Sequence, residues 1–342
     1  MSGNSDQRPR GRAKALLLNL ALSCIVFLLC VVVLEGILRL NHYGNLEIYE
    51  PDQKLYWKLK PNQDCFTKID RKPVHINSHG TRGPDFQTNK PVGTIRILSL
   101  GDSRTFGWGL ADEETYSRQL ERLLQERAGS GKKIEVINAG VNAWSYLQML
   151  VYLRDFGLRY KPDFVVLGEA NSWTQFSERN SPEFVQKFMK RVRIKNFLRR
   201  FAIYHYVVEV KLKDFYERNR AKFIPVDPAQ DTLFKEQQQS DPDAVFRRAI
   251  EQICEVAQAN GIQPVLLELP TADELNTEPS AVSKVKHDNE QRLGVPLVDM
   301  TGDLQPQGKA LYLAADPVHL NARGNQLIAQ RLFETIDRLI NP

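Results

Sequence analysis

The sequence predicts an α/β fold built on a parallel sheet. Two observations carry this expectation. From about residue 95 onward, short strand-like apolar runs alternate with helical stretches, a rhythm that calls for parallel strands joined by right-handed crossovers. The side chains able to do chemistry also fall just after strand-like runs, where open α/β sheets hold their sites.

Taken in order, the chain opens on a basic tail, residues 1–14, with Arg8, Arg10, Arg12 and Lys14 set against Asp6. Ala15–Leu34 is then a twenty-residue apolar stretch interrupted by Asn19 and Ser23. A membrane-spanning helix needs about twenty apolar residues. A cleaved signal peptide has an apolar core of about 7–15 residues followed by a small-residue cleavage site. No such site is evident in Glu35-Gly36-Ile37-Leu38-Arg39-Leu40, and Cys24 and Cys30 lack a lipobox, so residues 15–34 read as an uncleaved transmembrane anchor. Four basic residues precede it, while Arg39 follows it beside Glu35. The positive-inside rule then puts the tail in the cytoplasm and the rest outside, which is the periplasm if the cell is Gram-negative.

Residues 35–94 read as an extracytoplasmic connecting segment that packs on the core. It is polar and dotted with Pro51, Pro61, Pro73, Pro84 and Pro91, and its strand signals are weak. His75 and His79 read as loop residues. The regular rhythm follows. Strands are expected at Ile95–Leu100, Ile134–Asn138, Asp163–Leu167, Pro264–Leu269 and Pro296–Val298. Helices are expected at Thr115–Arg127, Ser145–Leu158, Ala244–Ala259 and Asn321–Ile340, on apolar spacing such as Leu327, Ile328, Leu332 and Ile336.

Residues 173–240 break the rhythm. Lys187–Arg200 is rich in lysine and arginine, with Phe188 and Phe197 interleaved. A solvated helical insert, a lid or basic surface near anionic lipid, and a groove for an acidic polymer all fit this composition. Gln237-Gln238-Gln239 and the residues to Asp243 read as a loop.

The net charge of +5 includes three units from the tail, so the remainder is nearly balanced and does not suggest a nucleic-acid binder. No histidine or cysteine cluster has metal-ligand spacing, and no glycine-rich phosphate cradle follows a strand; neither metal nor cofactor is expected. Cys65 and Cys254 would lie where a disulfide is permitted. Cys254 also fits the apolar face of a helix, so two separate buried thiols are expected.

The chemistry concentrates at two points. Ile95–Leu100 runs into Gly101-Asp102-Ser103-Arg104-Thr105-Phe106-Gly107, a hydroxyl on a glycine-bounded turn. Asp316-Pro317-Val318-His319 sets a carboxylate three residues before an imidazole. A serine hydroxyl is a poor nucleophile without an adjacent base. Histidine is the usual base near neutral pH, and a carboxylate fixes its tautomer. These are the parts of serine acyl transfer.

Gly101-Asp102-Ser103 with Thr105 and Gly107 resembles the first block of the SGNH (GDSL-type) hydrolases. Gly140, in Val136-Ile137-Asn138-Ala139-Gly140, resembles the second, and Asp316-Pro317-Val318-His319 the last. Ile76–Gly83 resembles a segment found ahead of the serine block in membrane-anchored members. The resemblance covers residues 95–342, a hydrolase-like domain broken by the insert at about 173–240. It implies a three-layer, flavodoxin-like fold and ester hydrolysis or acyl transfer. It also implies that Ser103 is the nucleophile, His319 the base and Asp316 its partner. The oxyanion donors would be the Ser103 and Gly140 N–H groups and an asparagine amide, for which Asn171 is the candidate. The third block departs from the family pattern: Gly168-Glu169-Ala170-Asn171-Ser172 has its glycine one residue early and Ser172 in place of an acid. The leading expectation is an anchored serine esterase acting on an O-acyl ester, with O-acetyl on a cell-surface glycan or lipid the simplest substrate. An O-acyltransferase using the same triad, or an inactive glycan-binding scaffold, are the alternatives.

Overall fold

The computed structural model describes residues 10–129, 131–170, 182–212, 215, 242–314 and 316–341. Asn171, Ser172 and the glutamine run lie outside them. Five parallel strands form the central sheet: β5 (Thr94–Gly101), β6 (Lys133–Gly140), β7 (Phe164–Leu167), β8 (Gln263–Glu268) and β9 (Leu297–Asp299). Their spatial order is β6-β5-β7-β8-β9. The chain moves from β5 to one side and then crosses to the other, which makes the end of β5 a topological switch point, the flavodoxin-like arrangement.

The sheet is covered on both faces, and strand alternation shows why. Along β7, Phe164 and Val166 enter one apolar cluster while Val165 and Leu167 enter the other. The first cluster holds Leu120 and Leu124 of helix α3 (Tyr116–Ala128) with Ile328, Leu332 and Ile336 of the closing helix Ala322–Ile340. The second holds Met149, Leu150 and Leu153 of helix α4 (Tyr146–Asp155) with Ile250, Ile253 and Cys254 of the helix Pro242–Ala259. This is the expected three-layer fold. Cys65 and Cys254 are both buried free thiols.

Two expectations need correction, and one helix stands beyond them. The connecting segment 35–94, weak in strand signals, contains two antiparallel hairpins, β1 (Tyr49–Asp52) with β2 (Tyr56–Leu59) and β3 (Gln63–Phe66) with β4 (Pro73–Ile76). Their inward side chains Leu55, Trp57, Leu59, Val74 and Ile76 join the second cluster, so packing rather than local propensity makes them strands. His75 accordingly lies in β4, not a loop, with Nδ1 2.7 Å from Asp64 Oδ1. The helix Ala281–Leu293 was not anticipated.

The apolar N-terminal stretch is one helix, α1 (Arg10–Leu40), long and apolar enough from Lys14 to Leu40 to cross a membrane. The described part of the insert is helical: Pro182–Leu198, a short turn Ala202–Tyr204, and a wider π-type turn His205–Leu212.

Candidate active site

Strand β5 ends at Gly101, and the chain turns at once into the one-turn helix α2 (Ser103–Phe106). Asp102 caps it, its Oδ1 accepting the Arg104 N–H at 2.9 Å. Gly107 closes it in the left-handed region at φ 86°, donating its N–H to the Ser103 carbonyl at 3.0 Å. The turn must come very close to the sheet. A Cβ at Gly140 would stand 2.7 Å from the Thr105 carbonyl carbon, and one at Gly168 2.6 Å from Thr105 Oγ1. Glycines at the ends of neighbouring strands therefore let α2 settle onto the sheet edge and hold Ser103 above the switch point. Asn138 fastens it, donating Nδ2–H to the Thr105 carbonyl at 2.8 Å.

His319 reaches Ser103 from the far end of the chain, with Nε2 2.8 Å from Oγ. Its Nδ1 lies 2.8 Å from Asp316 Oδ2. The other oxygen, Oδ1, accepts the N–H groups of Val318 (3.0 Å) and His319 (3.2 Å). One carboxylate thus shapes the turn and orients the ring. Burial alone would raise the Asp316 pKa, but the hydrogen bond and charge of His319 and these two N–H groups hold it below the ordinary aspartate value. The Pro317 carbonyl accepts the Ala272 N–H at 2.7 Å, tying the turn to the segment after β8. The His319 and Asp316 side chains keep 16% and 18% of their surface exposed, so the site is sheltered yet open.

Ser103 and Asp316 are therefore each in hydrogen-bond reach of His319, on opposite ring nitrogens. The expected oxyanion donors stand differently. The Gly140 N–H is engaged, donating to Asn138 Oδ1 at 3.0 Å. The Ser103 N–H, at the first position of α2, has no acceptor among the described residues. Asn171 lies outside the described residues.

Three supporting features were not read from the sequence. Arg82 is buried, donates to Asp112 Oδ1 at 2.7 Å, and binds the carbonyls of Phe106 (2.8 Å), Gly107 (2.7 Å) and Leu110 (2.6 Å). It braces the loop carrying Trp108, whose ring lies 5.8 Å from that of His319. Second, Glu169, in the irregular block, accepts the Leu269 N–H at 2.9 Å and the ammonium of Lys286 at 2.5 Å. Burial would raise the Glu169 pKa, but Lys286 and Arg104 together lower it. Third, Arg104 grips Asp102 Oδ2 at 2.9 Å and the Ala170 carbonyl at 3.3 Å, linking the serine turn to the irregular block. All three lie in segments the sequence singles out, Arg82 in Ile76–Gly83, Arg104 in the serine turn and Glu169 in the irregular block, but each has partners distant in sequence.

A family profile described as GDSL-like Lipase/Acylhydrolase matches residues 99–327. The chain belongs to that family. It is accordingly a hydrolase acting on ester bonds. Among solved structures, it is similar to the psychrotrophic esterase EstA of a Pseudoalteromonas species, at 16% identity and TM-score 0.44 over 72% of this chain and 99% of that one. It is also similar to a lipase/acylhydrolase of Enterococcus faecalis, at 17% identity and TM-score 0.44 over 71% and 95%. An acetyl xylan esterase, AlAXEase, gives 17% identity and TM-score 0.43 over 71% and 100%. Among curated proteins, none matches the chain.

Proposed function

We propose that this hydrolase is a membrane-anchored serine esterase whose triad is Ser103, His319 and Asp316. The observation that carries the reading is the continuous relay from Asp316 Oδ2 through both ring nitrogens of His319 to Ser103 Oγ, each step 2.8 Å. His319 Nε2 takes the proton as Ser103 Oγ attacks the ester carbonyl, and Asp316 stabilises the imidazolium. The tetrahedral oxyanion sits against the Ser103 N–H and the Asn171 amide. The Gly140 N–H joins them only by releasing Asn138, so its main contribution is the absence of a side chain. Collapse expels the alcohol, which takes the proton back from His319. Water then attacks the acyl-serine by the same route, releasing the acid.

The anchor is Ala15–Leu34, within the membrane-length stretch Lys14–Leu40 of α1, and the basic residues before it favour a cytoplasmic N-terminus with the triad outside. An outward-facing, tethered esterase meets acyl groups carried on cell-surface glycans or lipids, and O-acetyl is the smallest of them. The reading is tested by release of acetate from a simple acetyl ester. Wild type should turn over, and Ser103→Ala and His319→Ala should fall by a thousandfold or more; a folded Ser103→Ala variant with wild-type turnover would remove the triad.

A further inference from the structure

We propose that residues 190–212 form a seat on the headgroup layer of an anionic bilayer, beside the anchor. The proposal rests on reading α1 as that anchor and adds a second contact with the membrane. The helix Pro182–Leu198 and the turn after it have two unlike sides. Asn196 and Arg199 face the protein: Asn196 Oδ1 accepts the Tyr49 N–H at 3.3 Å, and the Arg199 side chain is 4% exposed with its guanidinium on the Glu47 carbonyl. Ile194, Phe197, Leu198 and Phe201, at helical spacing, face away and are 53%, 60%, 36% and 40% exposed. Val208 and Leu212 extend the apolar surface along the next turn.

Charge surrounds this stripe. Lys190, Arg191, Arg193, Arg200 and Lys211 are exposed. The one acid within 190–212, Glu209, is turned inward and paired with Lys68 at 3.3 Å. An apolar stripe ringed by cations suits a surface that is oily below and anionic above.

The anchor sets the depth. Ala15–Leu34 spans roughly 30 Å as a helix, the thickness of a bilayer's hydrocarbon core. Glu35, the next residue, accepts the N–H groups of Ala202 (2.9 Å) and Ile203 (3.0 Å), and Arg39 donates to the Arg200 carbonyl at 2.7 Å. The stripe is thereby fastened to the anchor at the level where it leaves the lipid. The same element reaches toward the triad: Glu209 pairs with Lys68, whose ammonium lies 4.7 Å from the Trp108 ring beside His319. Seating residues 190–212 thus fixes how the site faces the membrane.

The test uses the full chain in vesicles of phosphatidylcholine and phosphatidylglycerol, with or without phosphatidylcholine brominated near the headgroup. Phe197→Trp and Val208→Trp each add an indole on the stripe; Val92→Trp adds one at a fully exposed site before β5. Wild-type emission is subtracted. The seat predicts that the added emission at 197 and 208 falls at least twofold in brominated vesicles while that at 92 does not change. Unquenched 197 and 208 in protein that floats with the vesicles would overturn the seat and leave the anchor standing. Failure to float would overturn the anchor reading and the seat with it.

Discussion

Replacing Asp316 by asparagine is nearly isosteric, and the structure dictates how the new amide must lie. Asp316 Oδ1 accepts the N–H groups of Val318 and His319, so the asparagine oxygen has to stay there. Its NH₂ then faces His319 Nδ1, where a carboxylate oxygen had been. Nδ1 is forced to accept, the ring proton moves to Nε2, and Nε2 can no longer take the Ser103 proton. The imidazolium formed in the transition state also loses its counter-charge. At about 4 Å between charge centres and an effective dielectric of about 20, that charge supplies roughly 4 kcal/mol, or about a thousandfold in rate. With the tautomer error the expected loss in kcat is about 10³–10⁴-fold, the size seen when a serine-protease triad aspartate becomes asparagine. Both backbone hydrogen bonds survive, so Tm should shift by only a few degrees. The assay is steady-state hydrolysis of a soluble acetyl ester near pH 7, beside a thermal melt. A loss under tenfold in a folded variant would refute the orienting role of Asp316.

Gly140→Ala drives a Cβ against the Thr105–Phe106 backbone at the end of α2, and overpacking of this kind costs about 1–3 kcal/mol; a melt should fall and turnover with it, and an unchanged Tm would contradict the close seating of the turn. Lys286→Met leaves Glu169 buried beside one fewer cation, a loss of about 3–5 kcal/mol in denaturant unfolding; if adding Glu169→Gln recovers none of it, the pair is not the cause. Arg82→Ala strands three carbonyls and Asp112, so the 107–110 loop should loosen in hydrogen exchange and turnover should fall more than tenfold; wild-type exchange there would refute the bracing role. Because folding lowers the Asp316 pKa, its stabilisation is full above the ordinary value of 3.8 and is lost as pH falls through the lower folded value; Asp316→Asn should flatten that acid limb, and an unaltered limb would contradict the shift.

The parts of this site that lie within a few residues of one another were legible in the sequence. The glycine-bounded Ser103 turn and the Asp316–His319 spacing are local, and strands buried on both faces leave clear apolar runs. The hairpins were not legible, because Tyr49-Glu50-Pro51-Asp52 and Gln63-Asp64-Cys65-Phe66 have little intrinsic strand preference and become strands through pairing and packing. The helix Ala281–Leu293 was hidden because its inward face includes Lys286 and Asn289, both fully buried, which erases the apolar period; Lys286 is tolerated because Glu169, from another strand end, and the Leu267 carbonyl both accept from its ammonium. Arg82 and Asn138 act through contacts 24 and 33 residues away, which spacing cannot reveal. Gly140 was placed by its motif, but the engagement of its N–H by Asn138 depends on a side-chain rotamer.

The most direct measurement is peptide mapping by mass spectrometry after treatment with a fluorophosphonate, which bonds only to a serine made nucleophilic by its base. One adduct on the peptide carrying residue 103, missing in His319→Ala, is the outcome expected here. An intact, folded chain that takes up no phosphonate, or takes it up on a different serine, would contradict the account.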